Sequence, residues 1–299
     1  MYLSQISDSK AHISHRRSQG AHLTSLAQKD PSMKKTFPLS FEFLYQLFSL
    51  IISIILVHAI YVGVIRPGAD EFLAEQAALM KEDPSHVTKP SMFVILGDYE
   101  QESCFILMLW ALSIMIYKGM IISRNRSLLQ EDLIPMGEGM RILPEDVHDI
   151  SRQIQSLPPV QKSALLSRVL LAALQRFSST RSIQDVSDAA NAYCASEGDR
   201  LDAELSMIRY VLWAIPSIGF LGTVRGITLA LGYAHKAVEG DIFDVTRSLG
   251  IAFNSTLIAL LISLVLMFFL HQLQLLQERY VLDTQTYCEE KLISHLHAR

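Results

Sequence analysis

Ile215 to Ile227, IPSIGFLGTVRGI, and Leu249 to Leu264, LGIAFNSTLIALLISL, are the two most telling segments of the chain. Both segments are apolar enough to be membrane helices. Yet each carries small and hydroxyl residues where a lipid-facing helix would carry Leu or Phe. Polar side chains inside a bilayer are costly and usually face a bundle interior or a water path. Two such helices in tandem point to a pore or a tightly packed bundle rather than to a simple anchor.

Composition agrees. Half of the 299 residues are hydrophobic and mean hydropathy is +0.26, so spanning segments should alternate with a real polar domain. The net charge of -4 says little, because the charges act through the side of the bilayer on which they lie. Cys104, Cys194 and Cys288 show no CxxC or His/Cys spacing, which supports neither a disulfide framework nor a metal site.

A spanning helix needs about 20 mostly apolar residues. Working outward from the opening pair, four segments qualify: 40–66, 103–122, 207–235 and 246–270. The second contains Lys118, whose position near a helix end would let it snorkel to the headgroups. The N-terminal tail holds Lys10, Arg16, Arg17, Lys29, Lys34 and Lys35, and the segment after the second span opens with Arg124 and Arg126. The 67–102 loop instead gathers Asp70, Glu71, Glu75, Asp98, Glu100 and Glu102, and the 236–245 turn carries Glu239, Asp241 and Asp244. The positive-inside rule then puts both termini and 123–206 in the cytoplasm, with the two acidic segments outside. The first apolar stretch is too long for a signal-peptide core and no small-residue cleavage site follows it. The Ser/Arg/His-rich tail 1–39 reads as disordered, and Met33 reads as a natural start for the first inserted helix.

Between the second and third spans the period turns helical. Val160, Ala164, Leu165, Val169, Leu170, Ala173, Leu174 and Phe177 recur at three- and four-residue spacing behind Pro158 and Pro159, a helix start. Ile183 to Met207 repeats the pattern and is expected to flow into the third span without a break. Span four has no Pro or Gly after Gly250, so it should continue into the 271–299 tail as one helix of about 45 residues, about 65 Å long. The expected fold is an all-α integral membrane protein with four transmembrane helices and a helical cytoplasmic domain.

Pro216, Gly219, Gly222, Thr223, Val224, Gly226 and Ile227 match the Pro-x-x-Gly-x-x-Gly-Thr-Val-x-Gly-Ile signature of the TolQ/ExbB branch, and GIAFNSTLIAL resembles that branch's second signature, with Thr256 at its centre. The chain therefore resembles the MotA/TolQ/ExbB proton channel family, over about 60 of its 299 residues, with the channel domain at 207–275. Four spans look more like the MotA topology, whereas ExbB and TolQ have three. The resemblance implies a homopentamer in the bacterial inner membrane, around two helices of a MotB/TolR/ExbD-like single-span partner that carries a protonatable Asp. Ion flow, of protons in such a family, would then be converted into mechanical work at the cell envelope. Two departures stand out. Asn254 and Ser255 occupy positions where the pattern has apolar or small residues, and Ile251 replaces a glutamate found one turn before the threonine in ExbB.

The residues can be read without that likeness. Neither 207–233 nor 247–270 contains Asp or Glu, so a proton relay through these spans must borrow its carboxylate. Thr223 and Thr256 fall at similar depth, about 20 Å up one span and about 15 Å down the other. They could form a hydroxyl ring lining the ion path with Asn254 and Ser255, or each could bond its own i−4 carbonyl. Asn254 could equally bond a neighbouring helix. Gly219, Gly222, Gly226, Ala252 and Ala259 form small-residue stripes that let helices approach closely. Arg225 lies about 200° round the helix from Thr223 and should pair with an acid such as Glu100 or Glu102. His58, within the first span, could titrate or make a helix–helix hydrogen bond, and His271 is expected at the membrane interface.

The chain shows no Gly-rich phosphate loop after a strand, no nucleophile triad and no nucleic-acid patch, so the expectation is a non-enzyme without a catalytic residue, metal or cofactor. Its expected surroundings are the lipid bilayer, copies of itself and the single-span protein. The competing reading is a non-conducting membrane scaffold or signalling protein built on the same bundle.

Overall fold

The computed structural model describes residues 41–82, 91–131, 133 and 141–297. The tail 1–39 lies outside the described residues. The chain divides into two units, Met1–Leu44 and Tyr45–Arg299. The described part of the first is the opening turn of a helix, and all that follows concerns the second.

Four helical stretches are long and apolar enough to cross a membrane: Phe41–Gln76, Tyr99–Gln130, Ile183–Gly232 and Phe243–His295. Helix α1 is Phe41–Ile60, rich in Ile and Leu all round. At Tyr61–Ile65 it widens into a π turn, in which the Arg66 N–H reaches back to the Tyr61 carbonyl, and it continues as α2, Arg66–Glu82. Pro67 supplies no N–H, and a widened turn just ahead absorbs that loss without ending the helix. A single turn, α3, Met92–Leu96, leads to α4, Tyr99–Ser127. Thus the 67–102 segment, read from sequence as a loop, is helical over much of its described length.

Helix α4 carries Glu100 and Glu102 in its first turn and Arg124 and Arg126 in its last, the arrangement its dipole favours. It holds α1 through polar handles. The Trp110 indole donates to the Gln46 carbonyl at 2.9 Å, Tyr45 Oη lies 2.9 Å from Ser113 Oγ, and the Tyr45 and Tyr117 rings stack at 4.3 Å. Elsewhere α1 leaves Ile52, Ile55 and Val64 exposed, as a lipid-facing surface would.

The helical domain follows as α5, Val147–Gln155; α6, Pro159–Lys162, with Pro at its first position; α7, Leu165–Thr180; and α8, Ile183–Ala203. Arg181, at φ 52°, closes α7, and the Ser182 hydroxyl accepts from the Asp185 N–H to open α8. The expected seamless passage into the third span is not observed. Glu204 and Leu205 form a turn before α9, Ser206–Gly232. The short α10, Ala234–Val238, then turns the chain into α11, Phe243–Tyr287, a single helix of 45 residues. Beside that turn Asp244 Oδ2 lies 2.6 Å from Lys236 Nζ and holds the ammonium above its usual range.

The lower half of α11 is the spine of the helical domain. Leu270, Leu273, Tyr280 and Tyr287 join Leu166, Val169, Leu170, Ala173, Leu174 and Phe177 of α7 and Val186, Ala190 and Cys194 of α8 in one core. Two tyrosines on α11 accept from backbone N–H groups. Ala164 offers no side chain to cap α7, and the Leu165 N–H donates instead to Tyr280 Oη at 3.2 Å. Tyr287 Oη accepts from the Leu133 N–H at 3.2 Å. Removing the first hydroxyl leaves a buried N–H without its partner, so Tyr280→Phe should lower stability by about 1–2 kcal/mol in a thermal unfolding series. The end of the chain is tied in by a parallel bridge, in which the Ile142 N–H donates to His295 O at 2.8 Å and the His297 N–H to Ile142 O at 3.0 Å.

Candidate functional site: a threonine couple on a glycine seam

Helices α9 and α11 run against each other through Gly219, Gly222 and Gly226 on one side and Ser248, Ala252, Ser255 and Ala259 on the other, all buried. The approach leaves no room for another carbon. A Cβ on Gly219 would stand 2.4 Å from Ala259 Cβ, one on Gly222 2.5 Å from Ser255 Cβ, and one on Gly226 2.7 Å from the Ala252 nitrogen and the Ser248 carbonyl. Pro216, within α9, takes an N–H out of the helix ladder one turn before this seam begins.

On one flank of the seam the Thr223 and Thr256 hydroxyls hydrogen-bond each other. Thr223 Oγ1 is also 3.3 Å from its own i−4 carbonyl, Gly219, and 3.1 Å from the Ala252 carbonyl across the seam. Thr256 Oγ1 mirrors it, 3.4 Å from its own i−4 carbonyl, Ala252, and 3.3 Å from Gly219. Back-bonding and cross-helix pairing therefore coexist. Each hydroxyl has one proton to give and two lone pairs. One proton bridges the two threonines and the other goes to a carbonyl. The couple is thus fully used as a donor and keeps lone pairs that can accept from water or from a protonated acid.

The other two hydroxyl and amide positions lie elsewhere. Ser255, 1% exposed, donates to the Ile251 carbonyl at 2.9 Å and takes Gln101 of α4 at 3.4 Å. Asn254 and Ile251 line a cavity of about 590 Å³ between α2, α3 and the start of α11, with Arg66, Asp70, Asp98 and Arg247 among its walls.

Arg225 is on that same side. Its Nη2 lies 2.8 Å from Glu100 Oε2 and 2.9 Å from Asp98 Oδ1. Asp98 occupies the N-cap position of α4, yet its carboxylate makes no cap hydrogen bond and goes to the arginine. Glu102 turns the other way. It pairs with Arg66 and with His58, whose Nδ1 is 2.6 Å from Oε1. The Arg66 guanidinium stacks over the Tyr99 ring at 4.4 Å. Two carboxylates from the head of α4 are therefore bound to α9 and a third to α1 and α2, although spans three and four contribute none. Glu100 reaches the level of the seam, since its Cγ would be 3.2 Å from a Cβ on Gly222. The spacing of Asp98, Glu100 and Glu102 just ahead of an apolar run was the available signal in the sequence.

At the far end of α4 the second lysine-bearing feature is also resolved. Lys118 is 5% exposed and its Nζ sits 2.8 Å from Glu204, in the turn between α8 and α9. It is paired within the protein rather than snorkelling. Glu204 also meets Arg200, which binds Glu197, which in turn binds Arg168 at 2.6 Å. His271 is exposed on α11. Among the described residues no group of three or more His, Cys, Asp or Glu could hold a metal ion.

Four helices long and apolar enough to cross a membrane, together with a helical domain, are the frame of a multi-pass membrane protein. Residues 161–286 match the model of the MotA/TolQ/ExbB proton channel family. The matched segment reaches back from the glycine seam through α8 and α7 into the end of α6. No curated protein and no solved structure matches the chain.

Proposed function

We propose that this chain is the channel subunit of a membrane motor driven by ion motive force, that of protons, and that it works with a single-span MotB/TolR/ExbD-like partner at the cell envelope. In this reading five copies surround the partner's helices in a bacterial inner membrane, with both termini and the helical domain in the cytoplasm and the α9–α11 turn outside. The observation that carries it is the Thr223–Thr256 couple. It is donor-saturated, set on a tight seam, and has no carboxylate on its own flank, because Asp98 and Glu100 are bound by Arg225 on the other. A protonated Asp from a partner helix would find acceptors there, whereas an ionised one would find no free donor until the couple rearranged. That difference lets the site distinguish the two protonation states of a moving carboxyl group.

The test is proton flux into vesicles that hold the chain with its partner. Thr223→Val and Thr256→Val should each lower flux by about tenfold or more, the equivalent of one lost hydrogen bond, whereas Thr256→Ser should keep most of it. Assembly should be unchanged in all three. Equal flux in wild type and the double valine variant would remove the threonines from the ion path and favour the scaffold reading.

A further inference from the structure

A second titratable site lies away from the threonine couple, where α1, α2 and the head of α4 meet. Three carboxylates, Asp98, Glu100 and Glu102, face two guanidiniums, Arg66 and Arg225. The remaining group in contact is His58. The other charged or titratable groups facing this cluster are Asp70 of α2 and Arg247 of α11, which line the adjoining cavity and offset each other, with Tyr61, Tyr99 and Cys104. The cluster as drawn carries one negative charge too many. Glu102 is 6% exposed, and an unbalanced charge so placed is costly. One proton on the His58–Glu102 pair makes the cluster neutral.

Two further observations point to a ligand. Tyr61 is 2% exposed, lies within electrostatic range of Glu102, Arg66 and Asp98, and its hydroxyl has no hydrogen-bond partner. Gln101, 1% exposed, also has an unpartnered side-chain carbonyl, while its amide donates to Ile95 O and Ser255. A buried donor and a buried acceptor beside a charged cluster are the partners a bound water seeks. The cavity lined by Asp98, Arg66 and Asn254 adjoins the cluster through Arg66 and Asp98. At about 590 Å³ it has space for many molecules, each filling about 30 Å³ in the liquid.

We propose that this cluster is a hydrated proton-binding site of its own, reached from outside the membrane through the Asn254 cavity, which holds one exchangeable proton between His58 Nδ1 and Glu102 Oε1. Binding is a simple addition: the proton comes from external water, joins the lone pair on His58 or Glu102, and leaves by the same path. The site is distinct from the threonine couple and meets the channel helix through Arg225, which binds Asp98 and Glu100. The outside placement rests on the orientation proposed above.

The experiment uses the full chain in sealed vesicles. Cys104, Cys194 and Cys288 are buried, so an introduced thiol can be followed with a membrane-impermeant maleimide. Asn254→Cys should label from outside, as should Val238→Cys on the exposed turn. Proton uptake is then read with a pH dye between about pH 8 and 5, the range in which His changes charge. Glu102→Gln and His58→Gln should each take up one proton fewer per chain than wild type, and the double variant also one fewer rather than two. Glu102→Asp, which keeps the carboxylate, should restore it and guards against misfolding as the explanation. Wild-type uptake by Glu102→Gln, or a double variant that loses two, overturns the site. Labelling at Val238→Cys without labelling at Asn254→Cys overturns the route. Failure of Val238→Cys itself from outside overturns the orientation, and with it the external placement of the site.

Discussion

Arg225→Glu is expected to abolish accumulation of folded protein in the membrane, and Arg225→Met to cost about 3 kcal/mol or more, the penalty for leaving buried charge uncompensated. The Asp98 and Glu100 side chains are only 18% and 15% exposed, and Arg225 is the partner shared by both. The arginine is itself 37% exposed, so its own solvation tempers the loss, but that of the two carboxylates does not. Reversal places a third carboxylate beside two, with Glu102 one turn away. The measurement is thermal unfolding in detergent together with membrane yield. Neutralising the acids as well, Asp98→Asn and Glu100→Gln with Arg225→Met, should recover most of the stability, because an absent ion pair costs far less than a broken one. Wild-type yield and midpoint for Arg225→Glu would show that the pairing holds nothing together.

Closing the glycine seam should have an effect of similar size. At Gly226 an added Cβ meets the backbone nitrogen of Ala252 and the carbonyl of Ser248, both at 2.7 Å, so neither a rotamer change nor a flexible side chain can relieve it. Gly226→Ala is expected to cost at least about 3 kcal/mol, the upper end of ordinary overpacking, and Gly226→Val to separate α9 from α11 altogether. Gly198, in α8, is the control. Nothing lies within 4 Å of where its Cβ would stand, so Gly198→Ala should stabilise the helix by up to about 1 kcal/mol. Both effects are read from detergent unfolding, and the Gly226→Ala protein should also lose flux, since Thr223 and Thr256 can pair only across an intact seam.

Much of this was legible before the structure. The four apolar stretches and the period of residues 160–177 made an all-helical membrane chain the natural reading, and the glycine–threonine signature named the family that residues 161–286 match. The long fourth helix was legible too, because a run without Pro or Gly has nothing to stop it. What escaped depended on partners far away in sequence. Arg225 was expected to meet Glu100 or Glu102, and it meets Glu100; that Asp98 would share the arginine, and that Glu102 would turn to Arg66 and His58 instead, was not legible. Lys118 looked like a headgroup anchor until α8 brought Glu204 to it. Asn254, Ser255 and Thr256 stand in a row in the sequence, yet successive helical residues point about 100° apart. Which neighbour each meets is set by α4 and α2, and no periodicity in α11 reports those.

The location of the carboxylates changes the argument for a partner. It no longer rests on their absence from the membrane region, because three are present. It rests on their being bound by arginines on the flank away from the threonines. The most direct measurement is therefore proton flux into vesicles holding this chain alone, compared with vesicles holding it together with a single-span protein that bears a membrane Asp. The account predicts flux only in the second case, lost again when that Asp is changed to Asn. Flux of equal size from the chain alone would contradict it, since the threonine couple would then be carrying protons without the carboxyl group it is proposed to receive.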